Sequence, residues 1–519
     1  MKLKMKKILV ASIALFTVMT ITPMVSHAET KNTEILSANT VNVSNNYINP
    51  EDIVISQPGE TYSTTSSKVS ILGASDYRYP LYMNGQKIET TEAGYFAVYV
   101  ELKNGNNLFT FTNNGKTKNV NITKKASNNS GGSGSSSSKI TYWSENMQKK
   151  YAVVKGHNIS RMSTPGGDGK ELMMPLASGT TAQIIGETSS LYCLSDYSLV
   201  YKSNVTVKNG KLGNNVISKM DFVQENGLDC TELQFDMTQN ALYNLEVNNN
   251  NAVLTIFNTY NSAWSEIPQN RLIKNIEILE DGNKGYVKYL INFQKNPPLN
   301  GYYVEFKDGK MIVGFKKLPT IKEDSLEGVR IHIDAGHGGS DTGAKGPLST
   351  FGPLEKDINL SIALNTKEYL ESKGATVIMT RSNDSAMELS KRAARVAEFK
   401  PDFSLSIHCN SMPVSANYNN AKGFLTFYSF NKNNAPEYIN TFIADKVGIQ
   451  KSRARYSNLA MTRMTGCPAV LFETSFMSNP EDYQWMINKK NQEAVGIAAG
   501  EAIETFIKEI SKENVDSYA

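Results

Sequence analysis

Residues 329–346 read VRIHIDAGHGGSDTGAKG. Val329 to Asp334 is a short apolar strand, and Gly336, Gly338 and Gly339 around His337 let the backbone turn sharply and carry the ring toward a small ion. Working outward, the same kind of strand recurs at Thr376–Thr380, Phe403–His408, Gly423–Tyr428 and Ala469–Glu473. Helical spacing falls between them. Ile358, Ile362, Tyr369 and Leu370 share one face ahead of Gly374; Leu389, Ala393 and Val396 share another. A third helix starts with Pro436 in its first turn, carries Ile439, Ile443 and Val447, and stops at Gly448; a long last helix runs from about Asn491. Near-continuous apolar strands separated by helices imply a mostly parallel sheet covered by helices on both faces, with reactive groups beyond the carboxyl ends of the strands.

That rule selects a few polar residues. His337 and His408 each follow or close a strand, and Glu355 stands just before a helix, where first-turn amides favour an ionised carboxylate. Two imidazoles and one carboxylate with a fourth position open to water make a catalytic zinc set. Glu473 closes the last strand, where a carboxylate is costly unless it emerges at the rim, and is the candidate general base. The residues are far apart in sequence, so spacing alone leaves two readings open: a zinc site, or ordinary strand-end and helix-start residues. Asp334 is a candidate for supporting a metal ligand by hydrogen bonding, with strand-end capping as the alternative. His332, inside the first strand, reads as structural, His157 as a surface residue, and Cys409 and Cys467 as packing residues.

Five ordered landmarks, IHIDAGHGGSDTGAKG, LEKDINLSIAL, TRSNDS, SLSIHCNS and PAVLFETSFMSNPED, make residues 329–508 resemble the zinc-dependent N-acetylmuramoyl-L-alanine amidase catalytic family. The resemblance implies zinc as cofactor, with His337, Glu355 and His408 as ligands and Glu473 as the catalytic residue. It implies peptidoglycan as substrate, cut between the lactyl group of N-acetylmuramic acid and L-alanine of the stem peptide. Arg381 and Arg455 are candidates for binding stem-peptide carboxylates, with salt bridges as the alternative. Two departures stand out: Ala335 where the family usually has Pro, and Thr474-Ser475 where it often has a small aliphatic residue and then Gly. The competing functions are a zinc peptidase cutting within the stem peptide and a catalytically silent wall-binding protein.

The chain is multidomain, since 519 residues exceed what one core normally serves. Lysines at 2, 4, 6 and 7, the apolar run Ile8 to Ile21 and the pattern Ser26-His27-Ala28 read as a signal peptide over residues 1–28. The expected location is secreted, extracellular or wall-associated, with membrane contact only through that export signal. Removing its four lysines from 54 basic residues leaves 50 against 50 acidic ones. Such a balance offers no general attraction for nucleic acid. Nucleotide binding is excluded too, because Ala344 interrupts the Gly-Lys pair a phosphate loop requires and no Ser or Thr follows Lys345.

Residues 29–65, rich in Asn, Ser and Thr without a period, read as a flexible spacer. Residues 66–124 form a small all-β module with hairpin pairs at Asn84-Gly85, Asn104-Gly105 and Asn114-Gly115. A Gly/Ser linker follows at 125–139. Two β-rich domains occupy 140–215 and 216–320, the second with a wall-targeting role in view, and 509–519 is a tail. Wall polymers are the expected partners of these β modules. Cys193 and Cys230 are candidates for one bridge, but four scattered cysteines build no disulfide scaffold.

Overall fold

The computed structural model describes residues 49–126, 139–164, 173–225, 230–295, 297, 299–317, 321–322, 325–430 and 434–516. The expected signal peptide, most of the spacer and most of the Gly/Ser linker lie outside them. β-rich modules precede a C-terminal domain in which a largely parallel sheet is flanked by helices.

The strands of that domain are β1 (Arg330–Ala335), β2 (Thr376–Met379), β3 (Phe403–Asn410), β4 (Leu425–Tyr428), β5 (Arg455–Tyr456) and β6 (Ala469–Phe476). Its helices are α1 (Glu355–Ser372), α2 (Leu389–Phe399), α3 (Ala435–Val447), α4 (Pro480–Met486) and α5 (Lys489–Asp516). The strand order is β2-β1-β3-β6-β4-β5. The first four are parallel, and β4 runs antiparallel to β6. Helix α5 continues past the expected domain end at 508, and Ile510 packs against the core.

Because side chains alternate across a strand, β1 and β3 divide their residues between two faces. Ile331, Ile333, Ala335, Phe403, Leu405, Ile407 and Cys409 join one apolar core with α1, α3 and α5. The other face is not the apolar surface the sequence suggested. There His332 pairs with Ser404 at 2.9 Å, and Asp334 accepts from Ser406 and Thr380 at 2.6 Å each. All five residues are buried. Asp334 and the Nδ1 of His332 find partners on neighbouring strands, which is how a doubly covered sheet tolerates them, while His332 Nε2 is buried with no partner among the described residues.

In the N-terminal module, strands Val54–Gln57 and Thr61–Thr64 fall within the expected spacer. The first pairs antiparallel with Lys68–Ala74, the second parallel with Lys116–Lys124, so backbone pairing orders a segment whose composition reads as loop. Asn84-Gly85 and Asn114-Gly115 take positive φ at both positions and close hairpins, as expected. Asn104-Gly105 does not. Tyr95–Glu101 before it pairs with Lys68–Ala74 in one sheet, and Gly105–Asn113 belongs to the other, so this pair marks a crossing between sheets.

Among the described residues, the middle region carries three antiparallel sheets. Its larger apolar cluster runs from Ala152 to Phe315, across the expected division near 215. Ring contacts Phe235–Tyr289 at 5.3 Å and Phe293–Phe315 at 5.4 Å join the two sheets built from 217–317. Cys193, Cys230, Cys409 and Cys467 are all free and buried, so the candidate bridge is not formed.

Candidate metal centre

His337 follows β1 with φ +60°, a left-handed conformation uncommon outside glycine, which turns its ring back over the strand ends. Its Nδ1 is 2.9 Å from Asp341 Oδ2, leaving Nε2 to face Glu355 Oε1 at 3.1 Å. His408, near the end of β3, brings Nδ1 to the same Glu355 oxygen at 3.1 Å. The two rings lie 5.0 Å apart at 82°. One donor atom from each of His337, Glu355 and His408 falls within 4.8 Å of the others, a set that can hold a metal ion.

Glu355 opens α1 and is held from both sides by backbone. Its Oε2 accepts from Ala344 N–H at 2.7 Å and its Oε1 from Cys409 N–H at 3.1 Å. Close approach fixes two glycines. A Cβ on Gly343 would sit 2.5 Å from Glu355 Oε2 and one on Gly336 2.3 Å from the His408 ring, so no larger residue fits.

Electrostatics favour positive charge at this point. Burial opposes ionisation of Glu355, yet the two imidazoles hold its carboxyl well below the usual range. Burial likewise opposes protonation of His337, but Glu355 and Asp341 raise it to about 9; His408 is raised for the same reason by Glu355. Protons on the two imidazoles balance the carboxylate, and a divalent ion could take their place with the donors these residues offer.

Glu473 lies directly across from His408 in the β3–β6 register. Burial pushes its carboxyl up to about 7, with His408 opposing and Glu355 adding to the shift. Among the described residues its Oε2 is buried without a hydrogen-bond partner.

The remaining sequence candidates divide. Among the described residues, Asp334 hydrogen-bonds Thr380, Arg392 and Ser406, none of them in the metal-capable set. It receives Arg392 Nη1 at 2.7 Å, and that guanidinium grips the carbonyls of Ala335 at 2.8 Å and His337 at 2.6 Å, so Asp334 anchors the loop through Arg392. Burial works against the Asp334 charge, but Arg392, His408, His332 and the Ser406 hydroxyl together hold the carboxyl at about 2. Arg381 is buried, and its donors go to the carbonyls of Ala335, Asn383, Gly336 and Lys356, so it braces the turn. Arg455 is exposed on β5, whose neighbour β4 lies between it and the strand of Glu473.

Sequence reasoning missed Asp341, Arg392, Lys356 and Asp384. Lys356 Nζ meets Gly339 O at 2.9 Å and Asp384 Oδ2 at 2.6 Å, while Asp384 Oδ1 takes Gly339 N–H at 2.7 Å, stapling the glycine loop. The signal was present: Asp384 stands in TRSNDS and Lys356 in LEKDINLSIAL.

A mostly parallel sheet with two imidazoles and a carboxylate gathered at its carboxyl edge defines the class, an α/β domain equipped for a divalent ion. A family model described as N-acetylmuramoyl-L-alanine amidase matches residues 331–505, which supports an amidase catalytic assignment for that segment. The probable cell wall amidase LytH of Staphylococcus aureus is 35% identical over 164 residues, covering 31% of this chain and 53% of that protein. The chain thus spans about half the length of the curated relatives it matches. Two solved structures are similar over the same part. The catalytic domain of CwlV, an N-acetylmuramoyl-L-alanine amidase from Bacillus (Paenibacillus) polymyxa var. colistinus, is 31% identical, with 34% of this chain and 98% of that one covered and a TM-score of 0.31. The N-acetylmuramoyl-L-alanine amidase from Clostridium difficile 630 is 26% identical, with 36% and 98% covered and a TM-score of 0.33.

Proposed function

We propose that the C-terminal domain hydrolyses the amide between the lactyl group of N-acetylmuramic acid and L-alanine of the peptidoglycan stem peptide, with zinc held by His337, Glu355 and His408. The observation carrying this reading is the meeting of those three donors within 4.8 Å beside Glu473, the in-register neighbour of His408. Two imidazoles and a carboxylate suit zinc and leave a position open; when bound there, the ion supplies Lewis acidity that polarises a carbonyl and acidifies water.

Glu473 is the general base. Its partnerless oxygen accepts a proton from the water that attacks the lactyl carbonyl carbon. The protonated carboxyl then delivers that proton to the alanine nitrogen as the C–N bond breaks, yielding a free amine and a lactyl carboxylic acid that keeps the second water proton until it ionises in solution. A carboxyl raised to about 7 is suited to both transfers near neutral pH. Asp341 keeps the His337 ring in one tautomer, and Arg392 with Arg381 holds the backbone that presents it.

The proposal extends to place and partners. The substrate is a wall polymer, so the export signal and a secreted or wall-associated location belong to the same reading. The β modules are proposed to hold the enzyme on wall polymers, raising the local concentration of cleavable bonds.

Mass analysis of purified wall after digestion, with and without chelation, tests the reaction. Amidase action frees stems with an L-alanine amino terminus and leaves the lactyl carboxyl on glycan. Stem fragments still attached to glycan would indicate a peptidase, and an unchanged wall a silent binding protein.

A further inference from the structure

The N-terminal module is fastened to the two loops that carry the metal-capable residues. Ser56 Oγ donates to Gly346 O at 2.7 Å and Gln57 Nε2 to Lys345 O at 3.2 Å. The same side chain of Gln57 accepts from the buried Tyr418 hydroxyl at 2.6 Å. One residue thereby ties the loop after His337 to the loop after His408. Ser70 adds bonds from its N–H to Val414 O and from its hydroxyl to Ala416 O, at 2.8 and 2.7 Å. Ala74, Ala93 and Tyr95 of this module belong to the same apolar core as β1 and β3, and the Tyr95 ring meets Tyr483 at 5.5 Å.

The first of these loops has little freedom. Gly346 lies so close to Tyr483 that a Cβ would fall 2.1 Å from its ring. Ser56 and Gln57 hold the carbonyls of the same short segment. Two residues earlier, Ala344 N–H fixes Glu355 Oε2, and Glu355 N–H returns to Ala344 O at 3.2 Å. The position of the Glu355 carboxylate is therefore set by a segment gripped by a module more than 280 residues away in sequence.

We infer that Gln57 is a positioning residue for the metal-capable cluster, acting through Lys345 and Ala344 on Glu355 and through Tyr418 on the loop after His408. The inference rests on the proposed metal reading. Its chemistry is that of an outer partner orienting a ligand, the kind of contact whose loss weakens metal affinity by about 10–100-fold when it touches the ligand directly. Gln57 acts two residues further out, through Lys345 and Ala344, so the lower end of that range applies.

The test uses the full chain stripped of metal, with zinc binding followed by chelator competition and amide exchange followed over residues 341–348 without metal. Gln57→Met, which keeps the bulk and loses both bonds, is expected to weaken zinc roughly tenfold and to speed exchange at Ala344. Tyr99→Phe removes an exposed bond from the same module to Ser415 O and is expected to change neither. Should Gln57→Met fail to fold, Ser56→Ala removes only the Gly346 bond and is expected to shift both readouts in the same direction by a smaller factor. Wild-type affinity and exchange in the folded Gln57 or Ser56 variant would overturn the inference, as would equal losses in Tyr99→Phe. A wild-type chain that takes up no zinc would overturn the metal reading itself, and the inference with it.

Discussion

At the amino end of β3, Asp402 takes Lys316 Nζ on one oxygen at 2.9 Å and Arg330 N–H on the other at 2.9 Å, and Lys316 also reaches the carbonyls of Lys400 and Pro401. At the carboxyl end, six residues from Asp402, the His408 side chain stands beside a Glu473 whose Oε2 meets no partner among the described residues. Both ends bury charge. One saturates it and so joins the middle module to the sheet; the other leaves donors and a carboxylate oxygen turned toward a shared space. Saturation separates a structural ion pair from a reactive group more reliably than burial does, because a satisfied charge has no capacity left for a substrate.

The comparison breaks most visibly at Glu473. Glu473→Gln is expected to cut turnover roughly a thousandfold, about 4 kcal/mol of barrier, while the protein stays folded. Wild-type turnover in a folded variant would remove Glu473 as the base. The opposite pattern is expected at the other end. Asp402→Asn strands the Lys316 ammonium, which should lower stability by about 3 kcal/mol in denaturant unfolding and leave turnover per folded molecule unchanged. A loss below about 1 kcal/mol would mean that the two carbonyls on Lys316 suffice.

Acid titration sharpens the same contrast on the polar face of the sheet. Asp334 is held at about 2, below its ordinary value near 3.9, so its contribution is complete above pH 4 and is lost as pH falls toward 2. The stability gap between wild type and Asp334→Asn should therefore close by about 2–3 kcal/mol between pH 6 and pH 2. A gap independent of pH would mean that Arg392 does not depend on the Asp334 charge. The smallest effect is expected at Ser475, which takes φ +67° where the family often has glycine. Ser475→Gly should raise stability by about 0.5–1 kcal/mol in thermal unfolding, relief of left-handed strain less the added freedom of the unfolded chain. Destabilisation would show that the serine hydroxyl is needed more than the backbone is strained.

Much of the C-terminal domain was legible because its strands and helices carry their period locally, from Ile331 and Ile333 to Ile358 and Ile362. The polar sheet face was not, since Asp334, Ser404 and Ser406 become acceptable inside only when paired across strands, and register is not written in either strand alone. The metal-capable set was visible as residue types at strand ends, but its convergence spans 71 positions from His337 to His408 and came through the family landmarks. Docking was invisible for the same reason: nothing near Gln57 or Lys316 records which loop or strand end each will meet. A segment rich in Asn, Ser and Thr reads as loop, and Val54–Gln57 is a strand only because Lys68–Ala74 supplies its partner.

The most direct test of the account is metal stoichiometry in the purified full chain and three variants. One zinc per chain is expected in the wild type and in Glu473→Gln, with most of it lost in His337→Ala and His408→Ala. Equal zinc in all four proteins, or none in the folded wild type, would contradict a metal centre built from these residues.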